Sequence, residues 1–235
     1  MVKSAILLAA GRGKRQRPYT DTTPKPLLPV DGRPTLDYVL RAVKRAGVER
    51  VCIVIHHLEE QIIAFVGDGS RWGLEASFAH QTTLRGTGDA LMSVPAEWIQ
   101  DEPVMVVAAD YILDENSLLV LTRAHEEARA DIAMSLKECP IEELRVRSSV
   151  DVDAGWQVRR ILEKPRREEI MSPYAASILF ILPPQIWDYL LKIQPSERGE
   201  IEMQAAVNQM LEDGFTAIGL LQPAPREWTP DGEKP

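Results

Sequence analysis

Short, nearly unbroken apolar runs alternate along this chain with stretches whose apolar residues fall three and four apart. Ala5-Ile6-Leu7-Leu8-Ala9-Ala10 is the first run, too short for a helix and stopped by Gly11. Such a run reads as a strand buried on both faces, as in a parallel sheet. Leu36, Val39, Leu40, Val43 and Ala46 then keep helical spacing, closed by Gly47. Val51-Cys52-Ile53-Val54-Ile55 is a second buried strand, 59–66 a short helix ended by Gly67-Asp68-Gly69, and 74–80 another strand. A helix follows over 86–94, a third apolar strand over 104–108 ending at Ala109-Asp110, a helix over 116–129 and a strand over 132–136. This alternation predicts an α/β fold with a doubly wound, mostly parallel sheet.

From about 146 the pattern becomes strand after strand: 146–152, 157–162 and 176–182, with an Asp153-Ala154-Gly155 turn between the first two. These three are expected to form a small antiparallel insertion beside the parallel sheet. Helices return over 184–193 and 202–211, then a strand over 215–221, and 222–235 reads as an irregular Pro-rich tail.

A chain of 235 residues is long enough for one domain that buries roughly three quarters of its unfolded surface. A net charge of −8 argues against nonspecific nucleic-acid binding, so any basic cluster is local. The two cysteines have neither metal-ligand spacing nor a disulfide framework, which suits a reducing compartment. The first apolar run is shorter than a signal-peptide core, and no stretch reaches the roughly 20 apolar residues of a membrane span. A soluble, cytoplasmic protein is expected.

The chemistry concentrates after the first strand. Gly11-Arg12-Gly13-Lys14-Arg15-Gln16-Arg17 sets four cations around two glycines. Glycine lets backbone N–H groups approach a ligand, and the cations supply what a polyphosphate needs. Pro24-Lys25-Pro26 then holds a lysine between two rigid residues, a positioned point charge. The bland alternative is a solvated basic loop, but this loop directly follows a buried strand, where open α/β sheets bind ligands. Neither the P-loop nor the dinucleotide fingerprint fits, since Arg15 follows Lys14 and Gln16 stands where a third glycine is required.

Leu8-Ala9-Ala10-Gly11-x-Gly13-x-Arg15 followed by Pro24-Lys25-Pro26-Leu27-Leu28-Pro29-Val30 resembles the linked signature of the sugar-1-phosphate nucleotidylyltransferases, of the short single-domain type. That resemblance implies a Rossmann-like, glycosyltransferase-A-like nucleotidyltransferase domain over 1–235. Its nucleotide-binding part would be about 1–137 and its sugar-phosphate-binding part about 138–221. It implies that Leu8, Ala10, Gly11 and Gly13 contact the nucleotide and that Arg15 and Lys25 are catalytic. Asp110, at the end of a buried strand, is by itself a metal-ligand candidate that could equally cap the next helix. The family's G-D pair at this point, here Ala109-Asp110, implies Mg²⁺ binding by Asp110.

Gln81 offers a donor and an acceptor, enough to pair with a pyrimidine edge, although a glutamine before a flexible loop is commonplace. The 67–74 glycine-rich segment and Gln81-x(4)-Gly86-Thr87-x-x-Ala90 resemble the family's base-binding segment. They imply that Gln81, Gly86 and Thr87 bind the nucleotide, with uracil or thymine favoured over purines. Glu163-Lys164-Pro165 reads alone as an exposed ion pair before a turn. The family's E-K-P implies sugar hydroxyls on Glu163 and phosphate on Lys164, and Ser177 stands where a glycine normally lies against the sugar. Gly199-Glu200-x-Glu202 resembles a helix start of the family with Ala205 at its usual aspartate position. In the C-terminal W-x-D-x-G-T motif Pro230 replaces the aspartate, leaving Asp231 one residue later as the candidate second metal ligand.

The implied reaction is attack of a sugar 1-phosphate on the α-phosphate of an NTP, with UTP or dTTP favoured, giving NDP-sugar and pyrophosphate. Two alternatives stay open: choline-phosphate cytidylyltransfer, whose cationic head group would call for an aromatic or acidic box that Tyr174, Phe180 and Trp187 could be claimed for although they read better as core, and a non-catalytic nucleotide-sugar-binding regulator. No membrane partner is expected, and a homo-oligomer is left open.

Overall fold

A computed structural model describes residues 2–98 and 102–230. Strand β1 (Ser4–Leu8) leads through a long loop to the small hairpin β2 (Pro29–Val30) and β3 (Arg33–Pro34), then helix α1 (Thr35–Arg45). Next come β4 (Arg50–Ile55), α2 (Glu59–Val66), β5 (Glu75–His80), α3 (Thr87–Met92), β6 (Val104–Ala108), β7 (Tyr111–Ile112) and α4 (Ser117–Ala128). The second half holds β8 (Ile132–Glu138), α5 (Ile141–Leu144), β9 (Ser148–Val152), β10 (Val158–Glu163), β11 (Tyr174–Leu182), α6 (Ile186–Leu190), α7 (Met203–Glu212), β12 (Ala217–Leu221) and β13 (Arg226–Glu227).

Among the described residues the main sheet has seven strands in the order β12-β8-β11-β6-β1-β4-β5. β1 is parallel to β4 and β6, β4 to β5, and β12 to β8. β11 is antiparallel to both neighbours, β6 and β8, so those two run the same way and only β11 is reversed. Side chains alternate across the central strands as a pleat requires. Ala5 and Leu7 of β1 and Met105 and Val107 of β6 join one core with Leu36, Leu40, Leu118 and Leu121 of α1 and α4. Ile6, Val104 and Val106 face the other core with Leu91, Leu190, Val207 and Met210 of α3, α6 and α7. Two apolar faces explain why the strands read as continuous runs instead of alternating ones.

Two expectations are corrected. The 176–182 strand does not belong to the antiparallel insertion. It lies in the middle of the main sheet, with Phe180, Ile181 and Leu182 fully buried. Its Ile178-Leu179-Phe180-Ile181-Leu182 run carries the signature of burial on both faces, which the two preceding strands and turns obscured. The insertion is therefore the β9–β10 ribbon alone. Asp153 Oδ1 closes its turn by accepting from the N–H groups of Gly155 and Gln157 at 2.9 and 3.0 Å. Asn208 on α7 holds β10 through both polar groups of Ile161, at 2.9 and 2.7 Å. The second correction concerns the tail. It is not wholly irregular, because β13 pairs antiparallel with β7.

Among the described residues no helix is long and apolar enough to cross a membrane. Both cysteines are free and buried.

Candidate active site

Parallel pairing of Leu8 with Ala108 ends β1 and β6 side by side, so the loops that follow them share one crevice. A cleft of about 830 Å³ opens there. Leu8, Ala10 and Ala108 form its apolar floor, Arg12, Lys14 and Arg15 one wall, and Asp110 lies among them. Farther along are Gln81, Gly86 and Thr87, then Glu163, Glu200 and Glu202.

The basic loop is an ordered structure. Thr20 is buried under it and donates its hydroxyl to Gly13 O at 2.8 Å. Gly13 has a φ of 58°, and a Cβ there would lie 2.7 Å from Thr20 Cγ2, so glycine is required by both conformation and space. Arg12, Lys14 and Arg15 are exposed, and none forms an ion pair with another described residue, whereas Arg17 pairs with Asp21 at 3.1 Å. Gly13 itself supports the loop from behind and does not line the cleft.

Lys25 is fixed as its proline neighbours suggest. Thr35, fully buried at the start of α1, donates to Pro26 O at 3.0 Å. The Lys25 ammonium forms an ion pair with Asp110 and lies 3.6 Å from Glu227 Oε2. Arg147 contacts the other oxygen of Glu227 at 3.3 Å. Burial pushes the Glu227 carboxyl up, but Lys25 and Arg147 outweigh it and hold the group below the usual range. Burial, together with the nearby Asp110 charge, raises the Tyr111 phenol. Trp228 anchors the segment after β13 to the lysine loop: its indole N–H donates to Pro29 O at 3.1 Å, and Tyr19 packs edge-on at 5.0 Å. Asp231 lies outside the described residues.

At the far end, burial and then Glu202 raise Glu163 to about 7, against the opposing charges of Lys164 and Arg198. Lys164 is turned towards Glu200, 3.9 Å away, and it does not line the cleft; nor does Ser177, which is buried, while its neighbour Ile178 does. Thr87 lines the cleft, but its hydroxyl accepts from Met203 N–H at 3.1 Å and donates to Gln204 Oε1 at 3.4 Å. Gln204 in turn donates to Glu163 at 3.4 Å. Gly88 N–H donates to Ile201 O at 2.8 Å.

The sequence model of the family described as nucleotidyl transferase matches residues 4–226. The chain belongs to the nucleotidyl transferase family. It is 33% identical over 213 residues to the UTP–glucose-1-phosphate uridylyltransferase AglF of Haloferax volcanii, covering 90% of this chain and 85% of that protein. It is 30% identical to the low-salt glycan biosynthesis nucleotidyltransferase Agl11 of the same organism and 32% to a glucose-1-phosphate thymidylyltransferase of Streptomyces griseus. It spans only 57% and 58% of those two proteins. The crystal structure of a UDP-glucose pyrophosphorylase complexed with UDP-glucose shares the fold, with a TM-score of 0.83 at 21% identity over 99% of this chain and 96% of that one.

Within this nucleotidyl transferase fold the three aromatics follow their core reading and form no cationic box. Phe180 and Trp187 are core residues, and Tyr174 packs on Trp156 at 5.3 Å, so none of the three lines the cleft. Sequence reasoning missed Asp89, Arg147, Gln204 and Glu227. Asp89 lies inside the segment already singled out and Glu227 directly before Trp228, but only the tertiary fold shows what each one touches.

Proposed function

We propose that this chain transfers a nucleotidyl group from UTP or dTTP to a sugar 1-phosphate, releasing pyrophosphate. The observation that carries this reading is the set of three cations, Arg12, Lys14 and Arg15, that form no ion pair with another described residue and line a cleft that also contains Asp110. Cations lining a concave site attract and hold a polyphosphate.

In the reaction a sugar-phosphate oxygen forms a bond to the α-phosphorus while the bond to the bridging oxygen of the leaving pyrophosphate breaks. The nucleophile is already ionised at neutral pH, so no general base is needed. What the site has to supply is position and charge neutralisation. Arg15, with Arg12 and Lys14, neutralises the triphosphate and the departing pyrophosphate. Lys25 leaves Asp110 to hold the attacking phosphate. Gln81 and Gly86 meet the base, Glu163 the sugar hydroxyls, and Lys164 swings from Glu200 to the sugar phosphate.

The donors present suit Mg²⁺, a hard ion that takes one or two carboxylates and completes its shell with phosphates and water. Asp110 is a carboxylate beside the phosphate-binding wall, and among the described residues no group of three or more acidic, His or Cys side chains is placed to hold a metal ion. Asp110 would hold the ion, with Asp231 as the candidate second ligand. When bound, the ion would withdraw charge from the phosphates it touches. This reading also implies a cytoplasmic setting, where nucleoside triphosphates are available.

The test is pyrophosphate release with Mg²⁺, crossing five NTPs with a panel of sugar 1-phosphates and choline phosphate. Turnover that requires UTP or dTTP and one sugar 1-phosphate is expected. Turnover with CTP and choline phosphate alone would replace the reading, and nucleotide binding without turnover would turn it into a regulator.

A further inference from the structure

Gln81 is 3% exposed, at the end of β5, and its side chain is gripped from one end. The amide Nε2 donates to Asp89 Oδ2 at 2.8 Å and to Gly86 O at 3.3 Å. A carbonyl and an ionised carboxylate accept and cannot donate. The NH₂ end must therefore face them, and Oε1 is left as the atom offered to the cleft that Gln81 lines. Reversing the amide would set Oε1 against two acceptors. The neighbours of Gln81 fix its polarity.

Asp89 is in turn held from behind. It is 6% exposed. Arg85 donates to Oδ1 through Nη2 at 2.9 Å and Nε at 3.1 Å, and the Thr83 hydroxyl reaches Oδ2 at 3.3 Å. Asp89 does not itself line the cleft, so its effect has to pass through Gln81.

We propose that Asp89 is a positioning residue that locks Gln81 as a hydrogen-bond acceptor and thereby selects uracil or thymine over cytosine. The inference rests on the nucleotide-transfer reading and adds the device that sets the base. Uracil and thymine carry an N–H at ring position 3, where cytosine carries a lone pair. A lone pair facing Oε1 leaves two acceptors together and a hydrogen bond unmade. Sites built around one hydrogen bond reject the analogue that lacks it strongly.

The lock predicts what happens when it is changed. In Asp89→Asn the two Arg85 donors claim the new carbonyl, which turns the new NH₂ towards Gln81. Gln81 then reverses and presents its own NH₂ to the cleft, a donor that cytosine can accept. Calorimetric titration with UTP and CTP, which needs no turnover, reads this directly. The wild type should bind UTP at least about tenfold tighter than CTP, and Asp89→Asn should lower that ratio about tenfold or more. Gln81→Leu should abolish the preference, and adding Asp89→Asn to it should change nothing further, the non-additivity of residues that act through one another. If Asp89→Asn does not fold, Asp89→Ala, which removes the carboxylate that holds the Gln81 NH₂ end, must lower the ratio in the same direction.

An unchanged ratio with weaker binding of both nucleotides, or additive losses in the double variant, would overturn the proposal and leave Asp89 a structural residue. Equal wild-type affinity for UTP and CTP would overturn this inference alone. A wild type that binds neither nucleotide would remove the proposed function with it.

Discussion

Lys25, from the loop that follows β1, and Asp110, which follows β6, meet as an ion pair beside the cleft that Asp110 lines. The pair joins the two halves of the proposed chemistry, the cation that holds the acceptor phosphate and the carboxylate that holds the metal. Each keeps the other in place until a substrate competes for it. Arg15→Ala and Asp110→Ala should each reduce turnover at least about a hundredfold, the usual cost of removing a charge contact made in the transition state. Both should retain a cooperative unfolding transition. Near-normal rates in either variant would remove that residue from the mechanism.

Gly86 has a φ of 106°, and a Cβ added there would lie 2.6 Å from Ile201 O. Gly86→Ala therefore combines backbone strain with a clash against the segment that leads into α7. A loss of about 1–3 kcal/mol is expected, read as a lower melting temperature, together with weaker UTP binding. A variant with unchanged melting and unchanged affinity would contradict the packing described.

Glu163 gives a pH dependence whose sign can be worked out. Glu202 and Glu200 face it together with Lys164 and Arg198, and burial with the carboxylates prevails, raising it to about 7 from an ordinary value near 4.5. As pH rises through this window the unfolded chain loses its proton first, so stability falls between about 4.5 and about 7 and stays lower above it. Glu163→Gln lacks this loss. Its melting temperature should exceed that of the wild type at pH 8 by more than at pH 4.5, and a constant difference across the range would refute the assignment.

Glu227 behaves in the opposite sense. Its carboxyl is held below the ordinary value of 4.5 by Lys25 and Arg147 despite burial, so its contribution is present above that value and lost as pH falls through the depressed one. Glu227→Gln should cost about 1–3 kcal/mol at pH 7 and progressively less in acid. Urea denaturation at several pH values measures the difference.

Much of the parallel sheet was legible because burial on both faces leaves an unmistakable apolar run, as in Ile6-Leu7 and Val106-Val107. The loops around Gly13 and Lys25 were legible because glycine and proline restrict the chain locally. The placement of β11 was hidden, since strand identity is local but strand partnership is not. Arg147, Gln204 and Glu227 were hidden for the same reason: their partners are Glu227, Thr87 with Glu163, and Lys25, all distant in sequence. Ser177 was displaced from the cleft wall in favour of Ile178, because alternate residues of a strand face opposite sides and one position of register decides which is used.

The reversed β11 also bears on the order in which the chain can assemble during synthesis. β6 and β8 flank it and touch each other nowhere in the ladder, so when 1–138 has emerged the gap between them is still vacant. The β5-β4-β1-β6 half can pair at that stage, with one open edge waiting. Only when residues 174–182 leave the ribosome can that edge close and bring β8, then β12, into register. Such late, long-range pairing is slow and leaves an apolar edge exposed meanwhile. This sheet is joined through its middle by the strand that carries Ile178 to the cleft, before β12 closes its far edge.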